Sequence, residues 1–323
     1  MPELLALLIG SASLALAFNV GANNTAAEMG PAYGAGVRSR RQALFMIAVF
    51  CPLGAMAAGG RVLQTVGHGL VGGDTLASNP AGALVIVLAA LAMIGLANHL
   101  RLPVSTAHVV VGATVGLGAF YHSINAPLVG VMLVWWIATP LASLALSYLA
   151  GRLLYPRLKR QLESLECADQ VRRGVIWAVT LSGCWMAFAA GSNSLAKALG
   201  PAVGAQVFSP QLGALAGGLA MAVGALVLGG RTMHTVGREI HRICPLCAIL
   251  IETISASIIF AASRSGIPVS LAEIVTCSVI GFFWAAKGSK ETSRNRYVRR
   301  ILVLWPTAPV VAGAIAFGLL AIR

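Results

Sequence analysis

Two stretches hold short polar side chains inside otherwise apolar sequence. The first is Phe18-Asn19-Val20-Gly21-Ala22-Asn23-Asn24-Thr25-Ala26-Ala27-Glu28-Met29-Gly30-Pro31. The second is Phe188-Ala189-Ala190-Gly191-Ser192-Asn193-Ser194-Leu195-Ala196-Lys197-Ala198-Leu199-Gly200-Pro201. Phe18/Phe188, Gly21/Gly191, Asn23/Asn193, Ala26/Ala196, Gly30/Gly200 and Pro31/Pro201 share one offset of 170 residues, too long for a solenoid repeat. Amides and hydroxyls with one ammonium make a set of hydrogen-bond donors. Such donors suit a small anion. Asn23, Asn24, Thr25, Asn193, Ser194 and Lys197 are therefore candidate substrate ligands.

A second doubled element is Leu102-Pro103-Val104-Ser105 and Ile267-Pro268-Val269-Ser270. Proline is tolerated in a first helical turn, and a serine beside it can cap free N–H groups. The start of a helix attracts anions, which adds Ser105, Thr106 and Ser270 to the substrate candidates. A Pro-Val-Ser also simply starts a helix; its recurrence at equivalent positions is what favours a site. Glu28, His108, Glu252 and Glu273 are ionisable groups within or beside apolar runs. They are candidate ion-coupling residues, proton carriers by type, the alternative being hydrogen bonding within helix packing. Lys197 at membrane depth is a functional candidate, the alternative being a lysine that snorkels to the outer interface. No Ser/His/Asp set, carboxylate metal cluster or Gly-x-x-x-x-Gly-Lys loop occurs. The sequence thus argues against an enzyme, and implies no metal or cofactor beyond a coupling H⁺ or Na⁺. Cys244-Pro245-Leu246-Cys247 is a lone pair that reads as structural thiols rather than zinc or redox.

The elements that must hold these residues are membrane helices. The 323 residues are 58% hydrophobic and 10% charged, with mean hydropathy +0.83. That composition belongs to polytopic membrane proteins. Apolar runs long enough to cross a bilayer fall near 3–20, 42–60, 82–99, 103–120, 127–150, 173–190, 211–229, 246–263, 268–286 and 300–321. No basic region precedes the first, which is expected to stay in the membrane. A polar linker, 151–172, divides the runs five and five, predicting an N-terminal membrane repeat over 1–150 and a C-terminal one over 173–323. An odd number of crossings per half inverts the second relative to the first. If loop 37–41 is cytoplasmic, only Arg61, Lys197, Arg264 and Arg323 of the 23 basic residues lie off that side. The positive-inside rule then places both termini outside and the basic loops within, in a cytoplasmic (inner) membrane. The net charge of +13 is explained the same way, without nucleic acid. The expected fold is all-α: two inverted repeats of about five helices each, with broken or re-entrant segments at the signatures. Trp135, Trp136 and Trp305 read as interface anchors, and Gly112, Gly116, Gly217 and Gly218 as close helix packing.

At these residues the chain resembles the PiT family of inorganic phosphate transporters. That family has a Gly-Ala-Asn-Asp-x-Ala-Asn-Ala-x-Gly signature in each half and a Pro-Val-Ser-Thr-Thr-His element. They stand here as Gly21–Gly30, Gly191–Gly200 and Pro103-Val104-Ser105-Thr106-Ala107-His108. The resemblance implies two inverted repeats around a midplane anion site, usually in a homodimer, and a secondary transporter working by alternating access. Glu252 resembles a family glutamate of the second half. The signature aspartates are replaced by Asn24 and Ser194, and the second asparagines by Ala27 and Lys197. With Met29-Gly30-Pro31-Ala32-Tyr33-Gly34, this pattern is similar to the CysP-type sulfate permease branch. The resemblance therefore implies sulfate import, with phosphate import as the alternative; a membrane enzyme and a channel are weaker readings. Physical chemistry points the same way. Hydrogen phosphate can donate to a carboxylate, whereas sulfate at neutral pH has no proton to give. In the family reading the aspartates help hold sodium, so Lys197 is expected to replace that charge and weaken sodium dependence.

Overall fold

The computed structural model describes residues 1–72, 74–100, 104–164, 168–230, 243–287 and 296–322. Arg101, Leu102, Pro103, Cys167, Arg231, Arg238, Arg242, Lys290 and Arg294 fall outside these ranges. Among the described residues, ten apolar helices match the ten apolar runs. They are α1 (Glu3–Gly34), α2 (Arg40–Ala58), α3 (Pro80–Leu100), α4 (Thr106–Phe120) and α5 (Ala126–Leu149). After the linker come α6 (Ala168–Gly204), α7 (Pro210–Gly224), α8 (Pro245–Arg264), α9 (Leu271–Lys287) and α10 (Arg296–Ala321). The linker is itself helical: α5 continues through a π turn, Ala150–Leu154, into a short helix, Tyr155–Glu163.

Two expectations need correction. The signatures are not breaks, because α1 and α6 run unbroken for 32 and 37 residues, with Pro31 and Pro201 inside their last turns. Glycine and asparagine lower helix propensity by at most about 1 kcal/mol each, and tertiary packing overrides that. The interruptions lie instead at the Pro-Val-Ser elements, where Val104–Ser105 and 267–270 are non-helical. α8 ends on Gly266 at φ 75°. The N–H of Ile267 reaches back to the carbonyl of Ala262 and that of Gly266 to Ser263. This left-handed stop releases the chain as an extended segment into α9. Second, not every run forms a helix of spanning length. Among the described residues, seven helices are long and apolar enough to span a membrane, while Thr106–Phe120 and Leu271–Ala286 are shorter.

Packing is symmetric under exchange of the halves, αn for αn+5. α1 packs on α7 as α6 does on α2; α1 on α3 as α6 on α8; α4 on α10 as α9 on α5. In the last pair the final helix of each half lies against the Pro-Val-Ser helix of the other. Glycines permit the central crossings: a Cβ on Gly21 would meet the carbonyl of Met221, and one on Gly191 that of the equivalent Cys51. Gly54 and Gly224 stand likewise against the carbonyls of Phe188 and Phe18. Gly112 and Gly116 press on α10 at Pro309 and Gly313, as close packing requires.

α1 and α6 are antiparallel. Asn24 meets Ser194; fourteen residues onward on the first strand of chain and fourteen back on the second, Arg38 Nε donates to Thr180 Oγ1 at 2.9 Å. Loop contacts sort into two ends. Cys244 lies near Tyr155 at the end with Arg38, whereas Arg61 bonds the carbonyl of Arg264 and Val71 pairs with Ile124 at the other.

Candidate functional site

The two signatures meet where α1 crosses α6. Asn24 Nδ2 donates to Ser194 Oγ at 2.8 Å, and these positions are equivalent in the repeat. A residue that touches its own equivalent must lie on the pseudo-twofold axis relating the halves. His108 and Glu273, equivalent positions on α4 and α9, form a second such contact, Nδ1 to Oε1 at 3.3 Å. Four polar side chains thus stand on one axis, all buried.

The neighbouring asparagines have a different task. Asn193 donates to Ser263 Oγ and to the carbonyl of Ile267 at 3.0 Å, and accepts from Val269 N at 2.9 Å. It clamps the extended segment before α9. Asn23 Nδ2 reaches the carbonyl of Val104 at 3.4 Å in the matching segment. Each signature doublet therefore gives one residue to its own Pro-Val-Ser segment and one to the axis.

One turn beyond the crossing, on the same helix faces, stand Glu28 and Lys197. Lys197 is 1% exposed and donates from Nζ to the carbonyl of Val269 at 2.8 Å; it does not snorkel. It feels the charges of Glu273 and Glu28. Glu28 is fully buried, and neither of its carboxyl oxygens has a hydrogen-bond partner among the described residues. His108 Nε2 is likewise without a hydrogen bond among the described residues, and Glu273 Oε1 has only its contact with His108. Buried polar atoms in native folds are normally paired, so this cluster has bonding capacity for something small and polar.

The structure thus brings together Asn24, Ser194, Lys197, Glu28, His108 and Glu273. Ser105 caps α4 by accepting from His108 N, and Ser270 accepts from Glu273 N. Each keeps an O–H to donate. Thr106 is buried in the first turn of α4. Thr25 faces elsewhere: its hydroxyl bonds the carbonyl of Gly21 within α1, and its side chain fills the space over Gly229. Glu252 is also apart. It accepts from Ala32 N at 2.9 Å and from Ser182 Oγ at 2.6 Å. A proline inside a helix loses its own hydrogen bond and disturbs the adjacent turn. Glu252 takes up the N–H next to Pro31 and ties α1, α6 and α8 together.

Sequence reasoning missed the indoles. Trp136 is not an interface anchor: its ring lies 4.0 Å from that of His108, and its Nε1 donates to the carbonyl of Pro268 at 2.8 Å. The carbonyl of Trp305 stands 3.1 Å from His108 Nδ1. The available signal was that Trp136 and Trp305 are equivalent in the repeat. Cys244 and Cys247 form a disulfide, correcting the reading as thiols. Cys244 caps α8, so proximity at a helix start brings the pair together. Among the described residues no group of histidine, cysteine and carboxylate side chains could hold a metal ion.

Comparison with known proteins fits this geometry. The sequence profile described as "Phosphate transporter family" matches residues 20–316. The chain is 32% identical over 321 residues to the sulfate permease CysP of Bacillus subtilis (strain 168), covering 99% of this chain and 88% of that one. It is 24% identical to the inorganic phosphate transporter 2-1, chloroplastic, of Arabidopsis thaliana, covering 92% of this chain and 68% of that one. Its fold matches a solved structure titled "The sodium-dependent phosphate transporter" with TM-score 0.84 and 23% identity, over 99% of this chain and 100% of that one. These relatives are transporters and permeases, not enzymes. The chain is a multi-pass membrane protein that belongs to the phosphate transporter family.

Proposed function

We propose that this chain imports sulfate by proton-coupled alternating access, binding it on the axis between Asn24 and Ser194 and against Lys197. Asn24 and Ser194 lie ten residues before the ends of α1 and α6. That is about 15 Å of helix, half the hydrocarbon thickness, which supports a midplane site. Lys197 supplies the countercharge; Asn24, Ser194 and the Ser105, Thr106 and Ser270 hydroxyls supply donors. At the two signature positions no aspartate waits for a proton from hydrogen phosphate. The similarity to a sulfate permease agrees.

The observation that carries the reading is a pair of buried carboxyls. Glu28, one turn from Asn24, has no hydrogen-bond partner among the described residues, and Glu273 lies on the helix whose leading segment Lys197 binds at Val269. Ionised, both would repel a dianion. Each can admit it by arriving protonated, and each proton carried inward offsets one of the sulfate charges. Against a negative interior a dianion otherwise costs about 4.6 kcal/mol per 100 mV. His108 touches Glu273 and offers a second proton position. The ammonium of Lys197 supplies the charge that sodium would otherwise bring. We further place the basic loops in the cytoplasm, both termini outside an inner membrane, the halves 1–150 and 173–323 inverted about the linker, and the assembly as a homodimer.

The test is radiolabelled sulfate uptake into proteoliposomes under imposed proton or sodium gradients, with phosphate as competitor. Acid outside should drive accumulation, sodium should leave it unchanged, and excess phosphate should compete poorly. Strict sodium dependence would overturn the coupling. Phosphate uptake displaced only weakly by sulfate would favour the phosphate reading, which the names of several relatives support.

A further inference from the structure

An apolar groove of about 650 Å³ opens between α5, its continuation through the linker helix, and α8. Leu149 and Leu153 form one wall, Ile254 and Ile258 the other, and Arg157 stands at one end. The volume is that of a small-molecule site. Leu149 and Leu153 are each 49% exposed, on the side of a membrane bundle that lipid must cover. From Arg157 to Leu146 the groove follows eleven residues of helix, about 16 Å.

The charge at its end is unmatched. Arg157 is exposed and makes no ion pair among the described residues. The charges beside it on the linker are Arg152, Lys159 and Arg160. Glu163, the nearest acid on that helix, already pairs with Lys159. The occupant must therefore have a long apolar part and an anionic head at one end. An apolar helix from a second copy would fill the trough but bring no anion to Arg157. We propose that the groove holds an acyl chain of an anionic phospholipid, with its phosphate on Arg157. α5 belongs to the first half and α8 to the second, so this lipid fastens the two halves together. The proposal is independent of which anion is transported.

The test is native mass spectrometry of the full-length protein, equilibrated in detergent with equal phosphatidylglycerol and phosphatidylcholine of the same acyl chains. The wild type should retain phosphatidylglycerol in preference. Arg157→Ala should reduce that retention about fivefold, the effect of one basic residue at a lipid surface. Ile254→Trp, which fills the trough, should abolish it, and glycerol phosphate should not displace the lipid. Unfolding midpoints of both variants close to wild type would show that the fold is retained. Equal retention of the two lipids, or wild-type retention by either variant, would overturn the proposal. So would displacement by glycerol phosphate, or a dimer that dissociates in Ile254→Trp while the lipid count stays unchanged.

Discussion

Lys197 spends one of its three N–H donors on a backbone carbonyl, not on a carboxylate. The rest of its charge is directed at the axis cluster. Lys197→Met should weaken sulfate binding about 10- to 100-fold, since hydrogen bonds to charged groups contribute about 1.5–3 kcal/mol. Isothermal titration with sulfate reads this directly, and unchanged affinity would place the anion elsewhere. Glu28→Gln keeps the shape and removes the titrating group. It should preserve sulfate exchange at equal concentrations while losing accumulation driven by acid outside. Accumulation equal to wild type would clear Glu28 of coupling. These residues were legible in the sequence because a charge beside an apolar run, among small residues, is conspicuous. Trp136 was not, because an indole in a lipid-length run reads equally as an interface anchor. Glu252 was visible, but its partner Ala32 lies 220 positions away and nothing local points to it.

The helices carry a different lesson. A small-residue stretch ending in Gly-Pro resembles a break, yet α1 and α6 continue through it. Their glycines face the backbone of α7 and α2 rather than a cavity, and close packing outweighs weak propensity. The Pro-Val-Ser starts were legible as helix starts, and the extended segments before them were not. Gly191→Leu should strike the carbonyl of Cys51 and collapse the yield of monodisperse protein. Gly174→Leu, at a position with open space around it, should not. Glu252→Ala removes the acceptor for the Ala32 N–H beside Pro31 and leaves the Ser182 hydroxyl only the carbonyl of Val179. Thermal unfolding should report a loss of about 1–3 kcal/mol, with sulfate affinity unchanged if the residue only ties the three helices together.

Over the whole molecule, composition and the doubled motifs made the membrane class and the family readable. They did not show which helices neighbour which, because the contacts that matter join distant parts of the chain. The axis contacts Asn24–Ser194 and His108–Glu273 place opposite halves of the chain on one line. On the proposed proton-coupled reading, uptake should rise as the outside is acidified at fixed internal pH. Uptake rates flat across that series would contradict proton coupling.

The trade of closing helices, α5 resting on α9 and α10 on α4, bears on biogenesis. The ribosome delivers α5 well before its seat has been made, so the early half leaves the insertion machinery with an unmated flank. A gene cut within the linker should yield two inert pieces when each is expressed separately. Produced in one cell, they should find each other and restore transport.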